Sequence, residues 1–235
     1  MTNVADALAG IPALPVAVAK VLEETGRDDP DAKVISRAIE TDAGLAAKML
    51  SLVNSPYYGL NGAVTSLNQA VMIVGMRQVR NVALAVGAMR SIPGIPSSVT
   101  DTFLDRAMIC AKTARGIAGK GGLSAVEADT AHVGGLLRNV GLLVALRMGK
   151  TRPTEAEIVS FSRMLLNYWK LPAPIVAAVA DSAGPFKPDE PARAAHAVQI
   201  ATAVVDGRPT NADTAAMAAL GLKPVNLEFF APQAK

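Results

Sequence analysis

Cysteine is almost absent: Cys110 is the single thiol in 235 residues. A lone cysteine excludes an internal disulfide and a cysteine-based zinc site, and it fits a reducing compartment, so the expected localisation is cytoplasmic. Histidine is as scarce, with only His132 and His196, so no run of imidazoles at metal-ligand spacing exists. Aromatic side chains make up 4% of the chain and charged ones 18%. No apolar run approaches the roughly 20 residues that a membrane helix needs; Ile175 to Ala180 is far too short. No export signal opens the chain, because Asp6, Pro12 and Pro15 interrupt its first apolar stretch. The 23 basic and 20 acidic residues leave a net charge of +3, and the pI of about 9.1 reflects that small surplus. Nucleic acid is therefore not the expected partner.

What remains is helix-forming. Hydrophobic residues are 51% of the total, mostly alanine, valine and leucine, and their spacing follows helical periods with no sustained alternation. Pro15 opens a first helix with a Val18, Val21, Leu22 stripe and a stop at Gly26. Ile35, Ala38 and Ile39 form the next stripe. Asp42 is placed to cap a helix burying Leu45, Met49, Leu50 and Val53. Three capping boxes follow, Ser66 with Gln69, Ser124 with Glu127 and Thr154 with Glu157, each opening an apolar period. Further helices are predicted at 77–90, 101–118, 173–182, 191–205 and 211–220, with stops at Gly119 and Gly221 and a frayed end at 232–235. Two prolines and a glycine in Ser91 to Ser98 predict a hinge. The fold class is all-α, and Cys110, set among Ala107, Ala111 and Ala114, reads as a buried structural thiol.

Few residues ask for a functional reading. Asn54-Ser55-Pro56-Tyr57-Tyr58-Gly59 explains itself as a helix stop, with Asn54 left-handed and both hydroxyl and amide satisfying backbone groups. The paired Tyr57 and Tyr58 are the part that termination does not explain, and two exposed phenols make the loop a candidate interaction surface. Arg77 and Arg80, on one helical face, form with Lys48 a candidate anion grip against the plainer reading of a solvated face. His132 and His196 read as packed neutral histidines. Gly119-Lys120-Gly121-Gly122 lacks the lysine-hydroxyl end of a phosphate loop, and nothing resembles a Ser-His-Asp arrangement.

The segment Gly135-Leu136-Leu137-Arg138-Asn139-Val140-Gly141 resembles the Gly-Leu-Leu-His-Asp-Ile-Gly metal-binding core of HD phosphohydrolases, with Arg138 and Asn139 where the His-Asp pair stands. An arginine cannot ligate a cation, and an asparagine offers only a neutral carbonyl. The wider chain resembles the HDOD family, the HD-related output domain of bacterial signalling proteins. Leu14-Pro15, Thr41-Asp42-Ala43-Gly44-Leu45, Leu50 through Gly59, Ser66-Leu67-Asn68-Gln69-Ala70-Val71 leading to Gly75, and Trp169-Lys170-Leu171-Pro172 match its motifs in order. Two departures stand out: Ala43 replaces a proline, and Lys170 replaces the glycine of Trp-Gly-Leu-Pro. The likeness runs from about Ile11 to Leu222.

The resemblance implies one HDOD domain, with an N-terminal helical lobe at 11–92, a hinge at 91–98 and an HD-like helical lobe at 99–222. By its spacing the other HD ligand positions fall near Asp105, at Asp181-Ser182 and near Thr202, so the vestigial site comprises Asp105, Arg138, Asn139, Asp181 and Thr202. Arg138 is expected to fill the emptied pocket with its own cation, paired to Asp105 or Asp181. The implied function is non-catalytic signal transduction, with no metal or cofactor, through a protein partner or a small nucleotide ligand. The competing readings are a divergent metal-dependent HD phosphohydrolase and a helical nucleic-acid-binding regulator. No receiver, cyclase or phosphodiesterase signature is read in these residues, so any enzymatic output is expected from another protein. No membrane partner is expected, and oligomeric state is left open.

Overall fold

Cap and stop residues divide the chain into helices wherever this computed structural model describes it, at residues 8, 10–60, 62–183, 193–207 and 211–223. Every regular element among those residues is helical. The helix start expected at Pro191 and the frayed end at 232–235 lie outside the described residues.

One compact unit spans Ile11–Pro93. Pro15 precedes α1 (Val16–Thr25), Asp31 caps α2 (Ala32–Glu40), and Asp42 caps α3 (Ala43–Val53) by accepting from Leu45 N at 3.0 Å. Ser66 caps α4 (Leu67–Val74), and Gly75 at φ 88° turns the chain into α5 (Met76–Arg90). That φ lies in the left-handed region, which a side chain disfavours. The Ser66 box is only half formed. Ser66 Oγ accepts from Gln69 N at 3.1 Å, but Gln69 Oε1 accepts from Thr65 N at 3.0 Å, one residue outside the cap. α5 packs on α1, α3 and α4, and its last residue, Arg90, forms an ion pair with Asp42 at 3.0 Å. Burial acts to raise the Asp42 carboxyl, but the Leu45 amide and Arg90 outweigh it and hold its pKa below the usual value.

The second unit begins at Gly94, inside the segment predicted as a hinge. α6 (Ser97–Lys120) starts earlier and ends later than its sequence pattern implied. Gly119 lies within it, and the helix stops at Gly121, because helix stability here comes from packing. α7 (Ala125–Leu137) and α9 (Glu155–Tyr168) open with complete capping boxes closed by Glu127 and Glu157. α8 (Gly141–Arg147) lies between them, and α10 (Ala173–Ala180) runs into a 3-10 turn at Asp181–Ala183. α11 (Arg193–Asp206) and α12 (Asn211–Ala219) complete the described helices. α6, α7 and α11 pack mutually around an alanine-rich core that includes Cys110, Ala114, Ile117, Ala131, Val198 and Ile200. Small side chains let these three axes approach closely, as the composition suggested. Among the described residues no single helix is long and apolar enough to cross a membrane.

Candidate functional site

Glycines build the seat of the site. A Cβ on Gly135 would stand 2.8 Å from Ala111 Cα and 2.9 Å from Ala111 N, so only glycine lets α7 cross α6 at that point. On the neighbouring face, a Cβ on Gly134 would meet Val198 and Ala178 at 2.8 and 3.1 Å. After α7 ends, a Cβ on Gly141 would lie 2.1 Å from the Ile158 carbonyl, so α8 starts against the backbone of α9. Ser162 Oγ accepts from Gly141 N at 2.8 Å and donates to the Arg138 carbonyl at 2.6 Å. The turn joining α7 to α8 is thereby fixed to α9, and Arg138 is directed inward.

Arg138 is 3% exposed. Its Nε donates to Ser182 Oγ at 3.0 Å, its Nη1 to Asn139 Oδ1 at 2.9 Å, and its Nη2 to Glu155 Oε1. Ser182 Oγ in turn donates to the Val179 carbonyl at 2.7 Å. The cation is thus buried and paired, but with a carboxylate the sequence reading did not name. Asp105 is exposed on α6, and Asp181 is half-buried with its charge acting on His196. Neither forms an ion pair with Arg138, whose carboxylate partner is Glu155. Glu155 was missed because it lies in the first turn of α9, where an acidic residue is already explained by the helix dipole.

Beside the guanidinium is a cavity of about 70 Å³ lined by Phe103, Cys110, Gly135, Asn139 and Thr202, among others. Asn139 is common to the cavity and the Arg138 network. Arg106 and Asp206 also line it and are paired at 2.6 Å. The structure therefore brings Arg138, Asn139 and Thr202 into one region, together with Ser182. It replaces Asp105 by its neighbour Arg106, and it adds Asp206, one helical turn beyond Thr202. Periodicity identified the helices but not their rotation, and a one-residue shift turns a helical side chain by about 100°.

The donor chemistry at this cavity does not suit a divalent metal. Cys110 Sγ lies 3.6 Å from Thr202 Oγ1, and burial pushes its thiol pKa up despite the Thr202 contact and the Arg138 charge. The Asn139 carbonyl is engaged by Arg138, Asp206 is engaged by Arg106, and a buried guanidinium adjoins them. Among the described residues no three His, Cys, Asp or Glu side chains gather as a metal group. His132 is 1% exposed. Burial first, then the Arg115 charge, pushes its pKa down to about 4, against the raising effect of the Ala111 backbone and Asp129. His196 is also shifted down by burial, opposed by Asp181.

The other candidate surface is less open than its sequence implied. Asn54 has φ −83° and ψ 0°, right-handed and not left-handed. Its amide bridges the loop by donating to the Leu50 and Val64 carbonyls at 2.9 and 2.8 Å and accepting from Val64 N at 2.8 Å. Ser55 Oγ donates to the Leu52 carbonyl at 2.6 Å. Tyr57 and Tyr58 are half-buried and meet edge to face, with ring centroids 4.8 Å apart. Tyr58 packs against the cluster of Val53, Val64 and Ala70, and burial, with the neighbouring Tyr57, raises its phenol pKa. Two exposed rings are therefore not what the loop presents, because the Asn54 bridge folds it back onto its own core. Arg77 is exposed and Arg80 half-buried, with Arg80 Nε donating to Asn81 Oδ1 at 3.3 Å.

Known proteins agree with this architecture. An uncharacterized protein of Treponema pallidum (strain Nichols) is 32% identical over 145 residues, covering 60% of this chain and 27% of its own. A Marinobacter aquaeolei structure, named as a signal transduction protein, superposes at TM-score 0.74 with 19% identity, covering 98% of this chain and 58% of its own. This chain thus spans only about a quarter of the first relative and somewhat over half of the second. A Shewanella amazonensis structure named as a phosphohydrolase gives TM-score 0.66 at 22% identity, covering 97% of this chain and 91% of its own. A Geobacter sulfurreducens structure, an HDOD domain protein of unknown function, gives 0.67 at 16%, covering 97% of this chain and 90% of its own. The HDOD domain profile matches residues 11–160, ending short of the Leu222 to which the motif likeness extends. The chain belongs to the HDOD domain family.

Proposed function

We propose that this protein is a non-catalytic regulatory domain of bacterial signal transduction, acting by binding a protein partner or a small ligand. The carrying observation is the Arg138 network: the place where an HD enzyme needs ligands for a cation holds a buried cation of the protein's own, tied to Ser182, Asn139 and Glu155. A hydrolytic metal site needs several anionic or imidazole ligands around one ion and an open position for water. A guanidinium within that shell repels the ion and occupies its neighbours. The test is metal content by elemental analysis after incubation with manganese or iron, together with turnover of nucleotides and cyclic dinucleotides. The expected result is no stoichiometric metal and no hydrolysis. About one metal per chain, lost together with activity in Asp206→Ala or Asn139→Ala, would overturn the reading in favour of a divergent phosphohydrolase.

A further inference from the structure

The N-terminal unit carries a groove separate from the remnant pocket, and of the family motifs only Thr41 reaches it. It lies between α1 and α2, has a volume of about 370 Å³, and is lined by Lys20, Glu23, Val34, Arg37, Ala38 and Thr41, with Glu24 at its edge. That volume is within the range of ligand-binding clefts. Each wall bears a cation, Lys20 on α1 and Arg37 on α2. Between them is an apolar strip, with Ala38 buried and Val34 42% exposed. Among the described residues the side chains of Lys20, Glu23 and Arg37 make no hydrogen bond or ion pair. Glu24 differs, because its carboxylate accepts from Asp31 N and from Arg27. The groove therefore presents two unmatched positive charges and one unmatched negative charge around the exposed side chain of Val34.

We infer that this groove is a docking site for an acidic amphipathic helix of a partner protein. Positions 34 to 41 extend over about 10 Å along α2, close to two helical turns. A helix laid there would set an apolar residue on Val34 and Ala38 and direct carboxylates one turn apart to Lys20 and Arg37, in the helix-in-groove mode. The lining disfavours a nucleotide, because none of its residues offers a ring to stack on a base. The inference gives the proposed binding role a surface. Its failure would leave that role untouched, since metal content and turnover are read at a different place.

The experiment uses the full chain and three labelled helical peptides about four turns long. One carries leucines flanked by glutamates on a single face, one carries lysines in place of the glutamates, and one carries glutamates with alanine in place of leucine. Fluorescence anisotropy should show the leucine-glutamate peptide binding at least about tenfold more tightly than the other two. Amide chemical shifts should move in α1 and α2. Lys20→Glu combined with Arg37→Glu should lower that affinity at least about tenfold and invert the preference towards the lysine peptide. Both positions are exposed, and circular dichroism checks folding. Should the double variant fail to fold, Lys20→Gln and Arg37→Gln are read singly, each expected to weaken binding about threefold. Equal binding of all three peptides, no measurable binding, shifts outside α1 and α2, or affinity indifferent to these substitutions would overturn the proposal. So would inorganic triphosphate displacing the peptide from the same residues at lower concentration.

Discussion

Arg138 Nε donates to Ser182 Oγ at 3.0 Å, joining the C-terminal cap of α7 to the turn after α10. Both residues stand where the likeness to HD enzymes puts metal ligands. Each end of the contact is fixed by further hydrogen bonds, Arg138 to Asn139 and Glu155, and Ser182 to the Val179 carbonyl.

The Arg138–Glu155 pair is unequal, with side-chain exposures of 3% and 66%. Removing the exposed carboxylate strands a buried cation, which costs more than losing an ordinary surface pair. Glu155→Ala is expected to destabilise by about 2 kcal/mol. Arg138→Met added to it should recover part of that loss, because the charge needing a partner is gone. Urea denaturation decides: a Glu155→Ala midpoint equal to the parent's would show that Glu155 is dispensable to Arg138.

His132 gives a pH dependence with a definite sign. Its folded pKa of about 4 lies below the ordinary 6.5. Between those values the unfolded chain takes up a proton that the folded chain refuses, so stability falls as pH drops from about 6.5 to 4, by about 3 kcal/mol in all. His132→Phe should flatten that segment of the stability–pH curve. An unchanged slope in the variant would assign the dependence to other groups.

Lys170 is the only non-glycine residue with positive φ among the described residues, at 55°. It occupies the glycine position of the Trp-Gly-Leu-Pro motif, and a left-handed conformation costs an L-residue roughly 1–2 kcal/mol. Lys170→Gly should therefore raise stability by about 1 kcal/mol, after the extra backbone freedom gained by the unfolded chain is subtracted. Thermal melting at fixed pH measures it, and a lower midpoint would refute the strain.

Tyr58 has a buried hydroxyl with no hydrogen-bond partner, on a ring that packs into a hydrophobic cluster. Tyr58→Phe is expected to be neutral or to stabilise by about 1 kcal/mol, and Tyr58→Ala to destabilise by about 3 kcal/mol. Chemical denaturation of the two variants separates the contributions of hydroxyl and ring. If Tyr58→Ala left stability intact, the ring would be free for a partner and not part of the core.

Local chemistry was legible in the sequence, and geometry over distance was not. Ser124, Thr154 and Asp42 act within four residues of themselves, so their caps are written in adjacent letters. The Arg138 network was only half readable: burial of the arginine followed from its place in the motif, but choosing Glu155 over Asp105 or Asp181 depends on how α6, α9 and α10 rotate against α7. The Arg106–Asp206 pair was hidden for the same reason, being set by two helices from opposite ends of the unit. The half-burial of the tyrosine pair was not legible, because the Asn54 bridge to Val64 closes a loop that composition alone leaves open.

Gly135 and Gly141 are demanded by backbones that touch, and Gly134 by the Val198 and Ala178 side chains packed on it, not by anything a metal requires. Replacing the ligands between and around them leaves that demand in force, so chemistry and architecture at this site are free to part company. A sequence pattern that leans on these glycines therefore detects a helix crossing. Such a pattern gathers chains by how their helices cross, whatever stands at the two positions after Gly-Leu-Leu.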